Sequence, residues 1–114
     1  MTECREDKLI KEATKGDKKS QYALAKYYEI GFRLGFDFPD IDDVSPDAYW
    51  YLKAAEQGYD EAQYTLGWLY LRGIGVEQDV MQSRYWFRKA AEQGHERAKN
   101  RVERFDNKAK SLNN

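Results

Sequence analysis

The chain has 114 residues, with 19 basic and 20 acidic side chains and a formal net charge of −1. This length is sufficient for one cooperative domain and too short for two. The near-neutral balance provides no global attraction to nucleic acid or to an anionic bilayer, so we expect neither as a partner. The first residues are charged, and no apolar run approaches the roughly 18 residues of a membrane span, so we expect a cytoplasmic protein.

Cysteine and histidine usage excludes several kinds of site. Cys4 is the only cysteine, which rules out an intramolecular disulfide and a thiolate metal cluster, and we interpret it as an incidental terminal thiol. His95 is the only histidine, so the chain contains neither a catalytic triad nor a multi-histidine metal site. Because His95 directly follows Gly94, at a predicted turn, we expect its side chain to be exposed.

Two internal repeats organise the sequence. The residues from Trp50 to Gly58 return thirty-six positions later, from Trp86 to Gly94, with only two letters changed. A shift of forty-two positions superposes Gly16, Gln21, Tyr22, Leu24, Tyr28 and Gly31 on Gly58, Gln63, Tyr64, Leu66, Tyr70 and Gly73. A repeat of this length is typical of a helical solenoid, in which each unit covers the apolar face of its neighbour.

The repeats predict the elements in chain order. We expect one domain made of an N-terminal capping helix (4–16), a first repeat (17–58), a second repeat (59–94), a C-terminal capping helix (95–107) and a flexible tail (108–114). Each repeat holds two helices. Helix A is predicted near Lys18 to Ile30 and near Glu61 to Arg72, and helix B near Pro46 to Gln57 and near Val80 to Gln93. Glycines follow the predicted helix ends, where a positive φ is often required.

The first repeat contains an insertion, residues 32–42, which makes its connection between helices A and B six residues longer. It mixes three phenylalanines with a proline and several aspartates: Phe32, Phe36, Phe38, Pro39, Asp37, Asp40 and Asp42. Ser45 and Pro46 then provide an N-cap and a first-turn proline for helix B. A calcium loop starting at Asp40 would require glycine at position 45 and glutamate at Tyr51, so we interpret the acidic residues as solvated.

Helix A of the second repeat is apolar on two sides. Ala62, Leu66, Leu69 and Tyr70 have the spacing of a core stripe. A second stripe, about 200° around the helix axis, consists of Tyr64, Trp68, Leu71 and Arg72. With the equivalent positions in the other units, it predicts a partner-binding groove lined by Tyr22, Lys26, Ile30, Tyr64, Trp68, Leu71, Arg72 and Arg104. The alternative is that the phenylalanines of the insertion, or a neighbouring molecule, cover this second stripe.

One longer motif spans the second repeat: Ala62-x-x-x-Leu66-Gly67-x-x-Tyr70-x-x-Gly73-x-Gly75-Val76-x-x-Asp79, followed by Trp86-x-x-Lys89-Ala90-Ala91-x-x-Gly94. It closely resembles the Sel-1-like repeat, a relative of the tetratricopeptide repeat, and the resemblance covers about Gly16 to Gly94. The resemblance implies an all-α, right-handed superhelix of antiparallel helix pairs, with helix A on the concave surface. The first repeat departs from the pattern, because Ala25 replaces Gly67 and the insertion replaces the Gly-x-Gly-Val turn.

The resemblance also implies a function. It indicates a non-catalytic adaptor or scaffold that binds a protein or peptide. Small bacterial members are similar in outline to proteins that bind effectors, regulators or toxins, so an immunity-type protein that neutralises a bacterial toxin or effector is an alternative. Two complete repeats are fewer than the three normally needed for independent stability, so we also expect self-association or stabilisation by the ligand.

A small hydrolase or metal enzyme is the alternative of another class. The segment Gly73-Ile-Gly75 follows a helix and lacks both the third glycine of a dinucleotide loop and the lysine of a P-loop. We therefore expect no catalytic residues, no cofactor and no bound metal.

Overall fold

The computed structural model describes residues 5–112, which form six α-helices. These are α1 (Arg5–Thr14), α2 (Lys18–Arg33), α3 (Pro46–Glu56), α4 (Asp60–Arg72), α5 (Val80–Glu92) and α6 (Glu96–Leu112). The main packing contacts join each helix to the next one along the chain, and the molecule measures 65 by 27 by 22 Å. The predicted all-α solenoid of antiparallel helix pairs is confirmed. Cys4 lies outside the described residues.

Two predicted element ends are corrected by the structure. Helix α2 continues to Arg33, so Gly31 lies inside the helix instead of following it. Helix α6 continues to Leu112 and includes most of the segment predicted to be a flexible tail. Residues 108–112 contain neither glycine nor proline, and lysine and alanine are good helix formers, so nothing in the sequence ends the helix earlier.

The helix starts follow the expected capping chemistry in part. Asp17 and Asp79 accept backbone N–H bonds from Ser20 and Gln82, each at 3.1 Å, and so cap α2 and α5. Ser45 and Pro46 occupy the N-cap and first positions of α3, as predicted. The hydroxyl of Ser45 donates to the Asp47 carboxylate and does not accept from the helix backbone.

The turn between α4 and α5 requires glycine at position 75. Gly75 has a φ of 74°, which disfavours residues with a Cβ. A Cβ there would also lie 2.0 Å from Ser45 Oγ, while the Ser45 N–H donates to the Gly75 carbonyl at 2.9 Å. The turn of the second repeat therefore packs directly against the end of the long connection in the first.

The core combines small side chains with a few large ones. Tyr51, Leu24, Leu66 and Phe87 are fully buried, and Trp86 is 8% exposed. The predicted core stripe of α4 is confirmed for Ala62, Leu66 and Leu69, which are all buried. Tyr70, its fourth member, is partly buried and packs against the same core. Alanines between the helices allow the close approach that lets each pair cover the next.

Glutamines repeat along the stack and join successive helices. Gln21 and Gln63 are the buried glutamines of the two A helices. The side-chain N–H of each donates to a carbonyl near the end of the preceding helix, and its side-chain oxygen accepts from the glutamine at the end of the following helix. The bonds are Gln21 Nε2 to Ala13 O (3.0 Å), Gln57 Nε2 to Gln21 Oε1 (2.8 Å), Gln63 Nε2 to Ala55 O (3.1 Å) and Gln93 Nε2 to Gln63 Oε1 (2.9 Å). The carbonyls of Ala13 and Ala55 also accept from the N–H groups of Gly16 and Gly58, so each glutamine adds a second bond to a carbonyl at a helix end.

Candidate functional site

A groove of about 560 Å³ lies between α2 and α4. Helix α2 lines it with Lys26, Glu29, Phe32 and Arg33, and α4 lines it with Thr65, Trp68, Leu69 and Arg72. The start of α3 and the turn after α4 complete the wall with Ser45, Asp47, Ile74 and Gly75. The groove is therefore built by two successive A helices and the residues between them, which is the position predicted for partner binding.

The structure brings three of the predicted binding residues together in this groove: Lys26, Trp68 and Arg72. Ile30 is half exposed and lines a separate pocket beside the insertion. Leu71 is partly buried and Arg104 is exposed, and neither of them lines the groove. Helical spacing predicts which residues share a face of one helix, but it does not determine which of them line a cavity.

Tyr22 supports the groove from beside Lys26. Its ring stacks on Tyr59 with the centroids 5.0 Å apart, and it meets the edge of Tyr51 at 5.8 Å. The Lys26 ammonium lies 5.5 Å from the Tyr22 centroid. Burial raises the pKa of Tyr22 and outweighs the opposing effect of Lys26, so this ring remains a neutral packing residue.

The Tyr64 ring packs largely against other residues of the same chain. Its ring stacks on His95 at 4.6 Å between centroids and lies 5.6 Å from Phe87. The expectation that His95 is exposed was wrong, because the imidazole is only 9% exposed. Its position after a turn glycine was correct, but the start of α6 folds that turn back over α4.

The hydrogen bonds of His95 define its role. The Ala98 N–H donates to His95 Nδ1 at 3.2 Å, so the neutral ring carries its proton on Nε2. Nε2 lies 2.9 Å from Glu61 Oε1 and donates to it. His95 therefore caps the first turn of α6 and ties it to α4.

The insertion does not cover the groove in the way that the alternative interpretation required. Phe38 packs edge-on against Tyr28 and Phe32, with centroid distances of 5.0 and 5.2 Å, and Phe36 is exposed. Phe32 is the one of these phenylalanines that lines the groove. The Trp68 indole therefore remains accessible from the groove.

Two guanidinium groups lie on Trp68. The Cζ atoms of Arg72 and Arg101 are each 4.6 Å from its ring centroid, within the range of a cation–π contact. In residues 5–112, no carboxylate lies within 4 Å of either guanidinium. Arg101 Nε is also buried without a hydrogen-bond acceptor in that range. Arg72 lines the groove and Arg101 lies beside it on the Trp68 ring, so this side carries positive charge that the described part of the chain does not pair with a carboxylate.

On the opposite edge of the groove, both cations have a carboxylate partner. Glu29 lies 3.6 Å from Lys26 Nζ and 3.2 Å from an Arg33 guanidinium nitrogen, and it accepts a hydrogen bond from the Tyr51 hydroxyl. The groove thus has a paired α2 side and an unpaired α4 side. Helical spacing does not identify Arg101 as part of the site, because only a tertiary contact brings α6 beside Trp68. Its place in a run of basic residues was the available signal.

The described residues contain no group of three or more His, Cys, Asp or Glu side chains arranged to hold a metal ion. None of the six helices combines the length and the apolar character needed to cross a bilayer.

A linear stack of helix pairs, with a groove between successive A helices, defines the class of helical-repeat proteins. The chain belongs to the Sel1 repeat family, whose model matches residues 18–42, 48–59 and 60–95. Sel1 repeat proteins generally mediate protein–protein interactions.

Three known proteins show the extent of the similarity. A Sel1 repeat protein from Oxalobacter formigenes is 36% identical, with a TM-score of 0.70, over 83% of this chain and 67% of that one. A protective antigen present in uropathogenic Escherichia coli strains, which displays an SLR fold, is 33% identical with a TM-score of 0.71, over 88% of this chain and 20% of that one. The chitin synthase regulator SKT5 of Saccharomyces cerevisiae is 32% identical over 68 residues, or 60% of this chain. The match spans only 9% of that regulator.

Proposed function

We propose that this protein is an adaptor that binds a partner polypeptide in the groove between α2 and α4. The partner would contribute an acidic side chain next to an apolar one. The observation that carries this proposal is the pair of guanidinium groups on Trp68, neither of which has a carboxylate partner in residues 5–112. Arginine binds carboxylates through two parallel hydrogen bonds, so a partner carboxylate would satisfy donors that are now unpaired.

The indole of Trp68 supplies the apolar part of the site. Tryptophan and arginine are the residues that most often dominate the energy of protein interfaces. Trp68 is held in place by Phe87, whose ring meets it edge-on at 5.6 Å. Because Trp68 is already positioned, a partner would lose little binding energy in ordering it.

The groove is large enough for a short segment of chain. Its volume of about 560 Å³ lies within the usual range of ligand clefts, which is about 300 to 1,000 Å³. Lys26 and Arg33 border the other side of the groove, although both are paired with Glu29. We therefore assign the main contacts to Trp68, Arg72 and Arg101, and a secondary role to Lys26.

The proposal is tested by capturing partners from the cell of origin and measuring their affinity by calorimetry. Arg72→Glu should weaken binding at least about tenfold, because it inverts the charge at an exposed position without removing a core contact. Lys89→Glu makes the same change of charge on an exposed side chain of α5, outside the groove, and should leave the affinity within about twofold.

Trp86→Ala is the comparison variant that affects folding and not the groove. Trp86 belongs to the core, so this substitution should lower the free energy of unfolding by about 3 to 5 kcal/mol. Arg72→Glu should leave the unfolding midpoint nearly unchanged. A partner that binds equally well to the wild type and to Arg72→Glu and Trp68→Ala variants would overturn the proposed site.

A further inference from the structure

The inserted connection of the first repeat builds a second, smaller pocket on α2. Its volume is about 240 Å³, and it lies about a third of a turn around the helix axis from the residues that face the groove. The pocket is lined by Tyr27, Ile30, Gly31, Leu34, Phe36 and Phe38. Apart from the Tyr27 hydroxyl, which donates to Glu6, these side chains are apolar.

The floor of the pocket is fixed by close packing. A Cβ at Gly31 would lie 2.6 Å from Phe38 Cε2, so only glycine allows the Phe38 ring to lie directly on the α2 backbone. Tyr28 and Phe32 hold that ring from two sides. The Phe36 N–H donates to the Gly31 carbonyl at 3.0 Å, which returns the chain over the end of α2. The pocket therefore exists before any partner binds.

The rim of the pocket is apolar and accessible. Ile30 is 52% exposed, Phe36 is 61% exposed and Leu34 is 71% exposed. Single exposed apolar residues are common on protein surfaces, but several of them around one cavity mark an interaction site.

The same connection carries a concentrated negative charge. Residues 34–45 contain no lysine or arginine and four exposed aspartates, namely Asp37, Asp40, Asp42 and Asp43. Within residues 5–112, none of the four forms an ion pair. Two of them lie in a tight turn closed by hydrogen bonds between Ile41 and Val44, at 2.8 and 3.1 Å. The carboxylates are thus held on an ordered turn of the segment that forms the pocket.

We propose that this pocket is a second docking surface, for a partner segment in which an apolar side chain is flanked by lysine or arginine. A volume of about 240 Å³ accommodates one leucine or phenylalanine side chain as an anchor. The unpaired aspartates of the same connection, of which Asp37 stands between the lining residues Phe36 and Phe38, would attract basic residues next to that anchor. This attraction favours both the association rate and the choice of partner.

The test uses two synthetic peptides and the full chain labelled with nitrogen-15. One peptide has about eight residues, with a central Leu-Phe pair flanked by lysines; the other has glutamates in place of the lysines. The lysine peptide should shift the backbone amide signals of Ile30, Leu34 and Phe36 in a saturable way at submillimolar concentration. Its affinity should fall at least about threefold as salt rises from roughly 50 to 300 mM.

Two variants separate the apolar and the electrostatic contributions. Phe36→Ala removes an exposed wall of the pocket and should weaken the lysine peptide at least about fivefold. The double substitution Asp42→Asn and Asp43→Asn removes two charges, and asparagine tolerates the positive φ of this turn. It should therefore reduce the salt dependence of lysine-peptide binding. Glu92→Gln, on the exposed surface of α5, is the matched control. It should change neither the affinity of the lysine peptide nor the salt dependence of its binding.

Three outcomes would overturn this proposal. They are the absence of saturable shifts at about 2 mM lysine peptide, equal binding of the glutamate peptide, and shifts that map to Trp68 and Arg72 instead of the pocket. The proposal does not rest on the function assigned to the groove. Arg72→Glu alters the groove and not the pocket, so it should leave binding of the lysine peptide unchanged.

Discussion

The hydroxyl of Tyr51 donates a hydrogen bond to the Glu29 carboxylate and so ties α3 to α2 in the first repeat. In the second repeat the equivalent positions are Phe87 and Leu71, so an apolar pair replaces the polar one. The two repeats therefore use different chemistry at the same position of the fold. Tyr51 is fully buried, and its hydroxyl needs an acceptor that Phe87 does not.

This relationship predicts strong coupling between the two positions. Glu29→Leu alone should lower the free energy of unfolding by about 1 to 3 kcal/mol, because the Tyr51 hydroxyl loses its acceptor. Tyr51→Phe alone should cost about 1 kcal/mol. The double variant recreates the apolar pair, so its cost should be below the sum by at least about 0.5 kcal/mol in urea unfolding. Additive costs would show that the hydrogen bond contributes nothing specific.

The same tyrosine predicts a loss of stability at alkaline pH. Burial, followed by the hydrogen bond to Glu29, raises the pKa of Tyr51 well above its ordinary value. Above pH of about 10, the unfolded chain releases this proton while the folded chain retains it. The free energy of unfolding should therefore fall by up to about 1.4 kcal/mol per pH unit from this group, until the pH passes the folded-state pKa.

Unfolding midpoints measured between about pH 8 and 11 test this prediction, with Tyr51→Phe as the comparison. The contribution of Tyr51 is fully present below about pH 10, so the two proteins should have parallel profiles there. Above that pH the wild type should lose stability more steeply. Equal slopes of stability against pH in the two proteins would contradict a raised pKa for Tyr51 in the folded state.

Gly67→Ala should destabilise the protein, although alanine is the better helix former. In an open helix the substitution would stabilise by about 1 kcal/mol. Here the new Cβ would lie 2.8 Å from the Cδ1 and Cε1 atoms of Phe87, so the Phe87 ring or α5 must shift. We expect a net cost of about 1 to 3 kcal/mol in thermal unfolding, partly relieved by Phe87→Leu. A more stable Gly67→Ala protein would mean that the helices adjust freely.

Gln63→Leu should break the glutamine bonds at the centre of the stack. Gln63 is 4% exposed, and its loss would leave the Ala55 carbonyl without this donor. Gln93 would keep its bond to the Gly58 carbonyl, at 2.8 Å. We expect a cost of about 2 kcal/mol, measured by denaturant unfolding. Gln57→Leu is the matched control at an exposed position and should cost about half as much; equal costs would show that burial of the glutamine does not matter.

His95→Ala should lower the free energy of unfolding by about 1 to 3 kcal/mol, because the Ala98 N–H loses its cap and Glu61 loses its partner. His95→Asn offers an acceptor to the same N–H and should recover part of this loss. Hydrogen exchange at the start of α6 distinguishes the two: it should be fast in the alanine variant and slower in the asparagine variant. Equal exchange rates would exclude capping by His95.

Much of the fold was predictable because it depends on contacts between residues close in sequence or related by the repeat. The spacing of Ala62 and Leu66 correctly predicted the buried face of α4. Lys26, Trp68 and Arg72 were correctly grouped for the same reason, since residues three or four positions apart share one face of a helix.

The order of the helices, their register and their main buried faces therefore follow from the sequence, because helical periodicity is a local property. The division of the second face of α4 depends instead on tertiary contacts: His95 covers Tyr64, whereas Arg101 joins Trp68 and leaves it open to the groove. These residues are thirty or more positions apart. The stacking of Tyr64 on His95 repeats that of Tyr22 on Tyr59 one unit earlier, but spacing within a single helix does not show which side chains of the next unit will meet it.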